Sequence, residues 1–177
     1  MKKYEFTGET KEIRLLFRTA TLHRIRATVA FGIVEVGDLG GWIEKEENLS
    51  HEGKAWVCGD AKVYGDAEVW GNAEVYGDAK VWGNAEVCGD AEVFSASHVL
   101  VIGAIGSRND FTTFYRDKDN EITVKCGCFL GKIDRFLEKV TQTHGDSKYA
   151  LVYRAAVEVA KLQIDLSGEA PKDADEE

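Results

Sequence analysis

Proline is nearly missing from this 177-residue chain: one residue, Pro171, stands in an acidic stretch at the end. Long apolar runs are missing too. None approaches the roughly 20 residues that a bilayer-spanning helix needs, and the chain opens without the apolar core of a signal peptide. These absences lead to the expectation of a cytoplasmic protein with no membrane partner. A basic surplus is also lacking, since 22 Lys and Arg face 31 Asp and Glu for a net charge of −9. That excludes broad attraction to nucleic-acid phosphates or to anionic lipid, although a local basic patch remains open. Only four cysteines occur, Cys58, Cys88, Cys126 and Cys128. The first two stand where aromatic residues stand in neighbouring repeats, so no disulfide framework is expected.

What is abundant is a six-residue period. From residue 53 the chain reads GKAWVC, GDAKVY, GDAEVW, GNAEVY, GDAKVW, GNAEVC and GDAEVF, with Gly first, Ala third and Val fifth. Ala and Val are two apart, so on an extended strand they share one side, and the Lys or Glu between them takes the other. The Gly-Asp or Gly-Asn pair supplies a corner that tolerates positive φ. Three strands and three corners close a triangular circuit of 18 residues. This pattern predicts a mainly β protein built on a left-handed parallel β-helix of about three circuits, an exception to right-handed crossovers. Looser hexads, with Ile43 and Leu49 upstream in the Ala position and SASHVL downstream keeping Val99, extend it to residues 41–100.

Wrapping the sequence at that period sorts the outward side chains into three faces. One carries Lys62, Tyr64, Lys80, Trp82, His98 and Leu100; a second Glu68, Trp70, Glu86 and Cys88; a third Trp56, Cys58, Glu74, Tyr76, Glu92 and Phe94. Aromatic ladders of this kind call for cover by another subunit or by flanking segments. A homotrimer is the expected assembly, with a dimer second. Lys62, Trp82 and His98 form a secondary candidate site for an anion or a base, against the plainer reading of packing.

The flanks read as separate modules. Residues 1–40 form an N-terminal β cap, 101–166 a β-meander followed by two helices, and 167–177 a disordered acidic tail. Three strands are expected in the meander. Ile133, Phe136, Leu137 and Val140 make a one-sided helical stripe, and Asp146 is the expected N-cap of the second helix.

The densest polar cluster is Ser107-Arg108-Asn109-Asp110 with Thr112 and Thr113, where a turn could offer amides, hydroxyls and a guanidinium fork to phosphate or ribose. An ordinary polar hairpin is the competing reading. His144, Lys148 and Tyr149 gather at a helix start, where anions are favoured. Cys126-Gly127-Cys128 would place two sulfurs on one side of a strand, too few with His144 for a zinc site. No metal, cofactor or catalytic constellation is expected.

The stretches LHRIRAT, VGDLGGWIEKEENLS and IGSRNDFTTFYR, the hexads, and CGCFLGKIDRFLEKVTQTHGDSKYA resemble, along nearly the whole chain, a phage and prophage family usually labelled hexapeptide-repeat transferases. The resemblance implies the β-helix fold; the label comes from the repeat and implies no activity. It also places the protein in an infected or lysogenic bacterial host, where small oligomeric phage proteins sequester nucleotide immune signals. Non-enzymatic binding of such a small anionic ligand is therefore the leading expectation. An acyl-CoA-dependent acyltransferase with His98 as base and a structural scaffold are the alternatives.

Overall fold

Each hexad's glycine ends a strand before it can lengthen, and the fold of this computed structural model follows from that. The structure describes residues 2–168, so most of the expected acidic tail lies outside the described residues. The seven repeat glycines all take positive φ, between 63° and 77°. Between them stand seven two-residue strands: β4 (Trp56–Val57), β5 (Lys62–Val63), β6 (Glu68–Val69), β7 (Glu74–Val75), β8 (Lys80–Val81), β9 (Glu86–Val87) and β10 (Glu92–Val93). They are preceded by β1 (Tyr4–Arg14), β2 (Thr19–Ala27) and β3 (Leu39–Ile43).

The short strands pair only in parallel, each with the third strand along the chain. Trp56, Glu74 and Glu92 share one register, Lys62 aligns with Lys80, and Glu68 aligns with Glu86. Successive strands thus visit three sheets in turn, β4-β7-β10, β3-β5-β8 and β6-β9. Every repeat Ala and Val is at most 2% exposed, so the enclosed space is filled with small side chains. Small residues suit it because the three sheets stand close together and interiors pack without voids.

Two looser hexads sit differently from expectation. Ile43 aligns with Val63 and Leu49 bridges to Val69, so both occupy the Val position and not the Ala position. The corner at residues 50–54 absorbs the two extra residues, and His51 sits in it. At the other end the parallel pairing stops at Val93. Ser95 caps a short 3-10 turn, Ala96–His98, through a bond from Ser97 N–H, and the chain leaves in a new direction. Val99 therefore opens an antiparallel strand instead of continuing the repeat.

The flanks cover the sheets. Antiparallel β1 and β2 continue through β3 into the β5-β8 sheet, burying Leu22, Trp42 and Tyr64 together. Tyr4 and Phe31 pack edge-on to Trp56 over the β4 sheet. Beyond the repeat come β11 (Val99–Ile105), β12 (Asp110–Arg116), β13 (Ile122–Cys126) and β14 (Phe129–Lys132), an antiparallel sheet of four strands where three were expected. The extra strand arises because Gly127, at φ 55°, turns the chain between Cys126 and Cys128. Cys126 is half-buried and Cys128 exposed, so the two sulfurs do not share one strand.

This sheet docks on the β6-β9 face through Tyr115, whose hydroxyl donates to Cys88 O at 2.8 Å. Its other side packs on α1 (Ile133–His144) and α2 (Lys148–Gln163), joining Phe114 and Val124 to Phe136, Val140, Tyr153 and Val157. The α2 N-cap is Ser147, not Asp146, whose carboxylate instead meets Arg154 at 3.4 Å. No described helix is long and apolar enough to cross a membrane.

Candidate anion-binding site

Two segments far apart in sequence meet on one side chain, Tyr153 of α2. The β11–β12 turn is closed by Asn109 N–H donating to Gly106 O at 3.3 Å, with Gly106 and Asn109 both at positive φ. A Cβ at Gly106 would lie 2.0 Å from the Tyr153 hydroxyl, so only glycine lets the turn close over the ring. Ser107 hydrogen-bonds the phenol and Cys126 Sγ lies 4.0 Å from it. The Arg108 guanidinium rests against Gly127, its Cζ 3.2 Å from where a Cβ would stand. From the other side His144, the last residue of α1, stacks on Tyr153 at 5.8 Å between ring centres and 29° between planes. Tyr149 lies 6.0 Å from His144, and Lys148 Nζ 6.0 Å from the Tyr149 ring.

The electrostatics of this patch are positive. Arg108 is exposed, and neither it nor Lys148 has a carboxylate partner among the described residues. Burial pushes the Tyr153 phenol up to about 12, with Cys126 adding to the shift and Arg108 and Ser107 opposing it. The phenol is therefore a protonated donor at neutral pH. A guanidinium, an ammonium, an imidazole and hydroxyl donors in one patch form a set that suits phosphate oxygens.

Four of the residues read as ligand contacts have structural duties instead. Thr112 is fully buried and donates to Cys126 Sγ at 3.3 Å. Thr113, on the opposite side of β12, accepts from Glu86 N–H at 3.0 Å. Alternation along a strand sends adjacent threonines to opposite faces, so they never formed a pair. Asn109 makes the turn, and Asp110 accepts from Phe111 N–H at 2.8 Å. Ser107, Arg108, His144, Lys148 and Tyr149 remain. Tyr153 and Cys126 join them; Tyr153 was hidden among the apolar positions of its helix.

The secondary candidates do not form one group. Trp82 is 60% exposed and stacks on Tyr64 at 6.4 Å. Lys62 is half-buried and donates to Asp60 O at 2.7 Å. His98 is not on their face: the 3-10 turn carries it inward, where it is 2% exposed. Its Nδ1 accepts from Phe94 N–H at 3.3 Å, and burial and the Arg116 guanidinium hold its pKa down. A buried imidazole with no open side cannot reach an acceptor substrate.

One cluster escaped the sequence reading. Carboxylate oxygens of Asp117, Asp119 and Glu121 lie within 4.8 Å of one another. Lys132 Nζ stands among them at 2.5, 3.5 and 2.7 Å. Burial pulls this ammonium down, but Asp117 and Glu121 prevail and raise it to about 12. The protein's own cation thus stands where a metal ion would and offsets part of the cluster's charge.

No protein-family model matches this chain, and no curated protein matches it closely enough to count as a relative.

Proposed function

We propose that this protein is a non-enzymatic binder of a small anionic, nucleotide-like ligand, and that its parallel sheets wind as a left-handed β-helix around which copies assemble as a homotrimer. The observation that carries the reading is the convergence of Arg108, Ser107 and His144 around Tyr153, with Tyr149 beside His144 and Lys148 beside Tyr149. Arg108 supplies a fork for paired phosphate oxygens, Lys148 a point charge, and the Tyr149 ring a surface for a base. A binder needs no general base, which agrees with the burial of His98. In a phage of the family that the sequence resembles, such a ligand would be a cyclic or ADP-ribose-type immune signal of the bacterial host.

The test incubates purified protein with a panel of cyclic and ADP-ribose nucleotides and, separately, with acetyl-CoA plus amine acceptors. We expect one nucleotide to be retained and released intact on heating. Arg108→Ala should weaken retention at least about tenfold with an unchanged melting temperature, because Arg108 is exposed. Full retention by that variant overturns the site, and thioester turnover overturns the non-enzymatic reading. Light scattering should give a mass three times the 19.6 kDa chain.

A further inference from the structure

Each rung of the repeat hands its hydrogen bonds to the next, and on one face the last rung has no successor. In the β3-β5-β8 sheet, Trp42 N–H donates to Ala61 O and Lys62 N–H to Ala79 O, one circuit on. The sheet then stops, with β8 as its edge. Where a further strand would follow, the chain forms the 3-10 turn Ala96–His98 and then β11, which pairs with β12 instead. Among the described residues the Lys80 and Trp82 N–H groups accordingly have no acceptor. The other two faces end differently: Glu86 N–H donates to Thr113 Oγ1 at 3.0 Å, and Phe94 N–H to His98 Nδ1 at 3.3 Å. An open strand edge is a template for the polar groups of a ligand.

A cavity of about 380 Å³ lies at this edge, within the range of small-molecule sites. Lys80 and Trp82 line it from β8, Leu100 and Val101 from β11, and Phe111 from β12. Gly103 gives the Phe111 ring its room, since a Cβ there would lie 2.5 Å from Phe111 Cδ1. The Trp82 ring stacks on Tyr64 of the preceding rung at 6.4 Å, with 10° between planes, and is still 60% exposed. No third aromatic continues that ladder: the period puts Leu100 next, and β11 carries it to the cavity wall.

The charge at the cavity is positive. Lys80 stands in register with Lys62, and no described carboxylate comes within ion-pair distance of it; Asp60 is engaged by Lys11 at 3.2 Å. Burial, Lys11 and Lys80 depress the Lys62 ammonium against the pull of Asp60 and Asp78. A cation beside aromatic and aliphatic walls, with unused N–H donors next to it, is the recognition chemistry of an aromatic acid.

We propose that this cavity binds a small aromatic carboxylate, its ring continuing the Tyr64–Trp82 stack against Phe111 and its carboxylate accepting from the Lys80 ammonium and a free N–H of the β8 edge. The site does not rest on the Tyr153 patch or on the ligand proposed there.

The probe is 2-naphthoate, followed by two-dimensional amide and indole NMR on the full chain, with 2-naphthamide as its neutral counterpart of the same shape. The expected result is a saturable shift of the Trp82 indole and of the amides of residues 80, 82 and 111, with the amide compound binding about tenfold more weakly. Lys80→Gln should weaken the acid about tenfold and leave the amide compound unchanged. Trp82→Ala should weaken both about fivefold. Four results would overturn the proposal: no saturable shift up to about 10 mM, equal affinity for acid and amide, shifts confined to residues around Tyr153, or unchanged affinity for the acid in Lys80→Gln or Trp82→Ala. Should either variant fail to fold, the comparison of acid with amide on the unaltered protein decides.

Discussion

Alanine placed at Gly53 and at Gly83 separates two costs that the repeat otherwise merges. Both glycines have positive φ, 71° and 69°, where an L-residue costs about 1–2 kcal/mol, offset by roughly 0.4–1 kcal/mol of unfolded-state entropy. Gly83 has nothing within 4 Å of the added methyl. Gly83→Ala should therefore cost about 1 kcal/mol. At Gly53 the methyl would lie 2.5 Å from Gly71 O. That oxygen accepts from both Lys54 N–H at 2.8 Å and Ala55 N–H at 2.9 Å. Pushing it away weakens two backbone bonds of about 1 kcal/mol each, so Gly53→Ala should cost about 3 kcal/mol in total. For a chain of this size each kcal/mol is worth roughly 2–4 °C. Circular dichroism melts should put Gly53→Ala about 6–12 °C below the unaltered protein and Gly83→Ala only about 2–4 °C below it. Equal drops would refute the claim that close stacking of neighbouring corners, rather than φ alone, demands glycine.

Two further perturbations probe the joints of the fold. Tyr115→Phe removes the hydroxyl that ties the C-terminal sheet to Cys88 O, and urea unfolding should show a loss of about 1–2 kcal/mol; no loss would mean that apolar contact alone docks the sheet. His98 is buried with its pKa held below the ordinary value by burial and Arg116, against the weaker pull of Asp165 and Glu92. The unfolded chain therefore binds the proton more readily than the folded one, and stability should fall as pH drops from about 7 to about 5. His98→Gln should flatten part of that slope in denaturation midpoints measured across the range, with His51, similarly depressed by burial, accounting for a remainder.

Legibility in the sequence tracked how local the determining physics was. The hexads carried the parallel strands and the Ala and Val interior because each repeat contains its own corner and its own inward pair. The shift of Ile43 and Leu49 into the Val position was not legible, since the two extra residues at the 50–54 corner look like any other six-residue unit until a partner strand sets the register. The fourth strand of the C-terminal sheet was missed because Gly127 read as a strand residue between two cysteines. Part of the candidate site was visible as polar residues in turns. Tyr153 was not, because a tyrosine on an apolar helical stripe reads as core; its second role appears only when the β11–β12 turn closes over its hydroxyl.

A repeat that stacks identical residues also stacks identical charges, and this constrains what the flanks must do. Lys62 aligns with Lys80, Glu68 with Glu86, and Glu74 with Glu92. Each aligned pair is unfavourable at about 4.8 Å spacing unless something opposes it. The Lys62 ammonium shows the strain: burial depresses it first, and Lys11 and Lys80 depress it further against Asp60. The glutamate pair on the β6-β9 sheet is relieved by Lys125, whose side chain is only 12% exposed. The C-terminal sheet therefore docks by charge as well as by Tyr115. The remaining pair, Glu74 and Glu92, opens onto a cavity. A repeat that creates the same electrostatic problem three times thus has its faces answered by different neighbours: Lys125 on the β6-β9 sheet, and on the cavity face the Tyr76 hydroxyl, which donates to Glu92 at 2.8 Å.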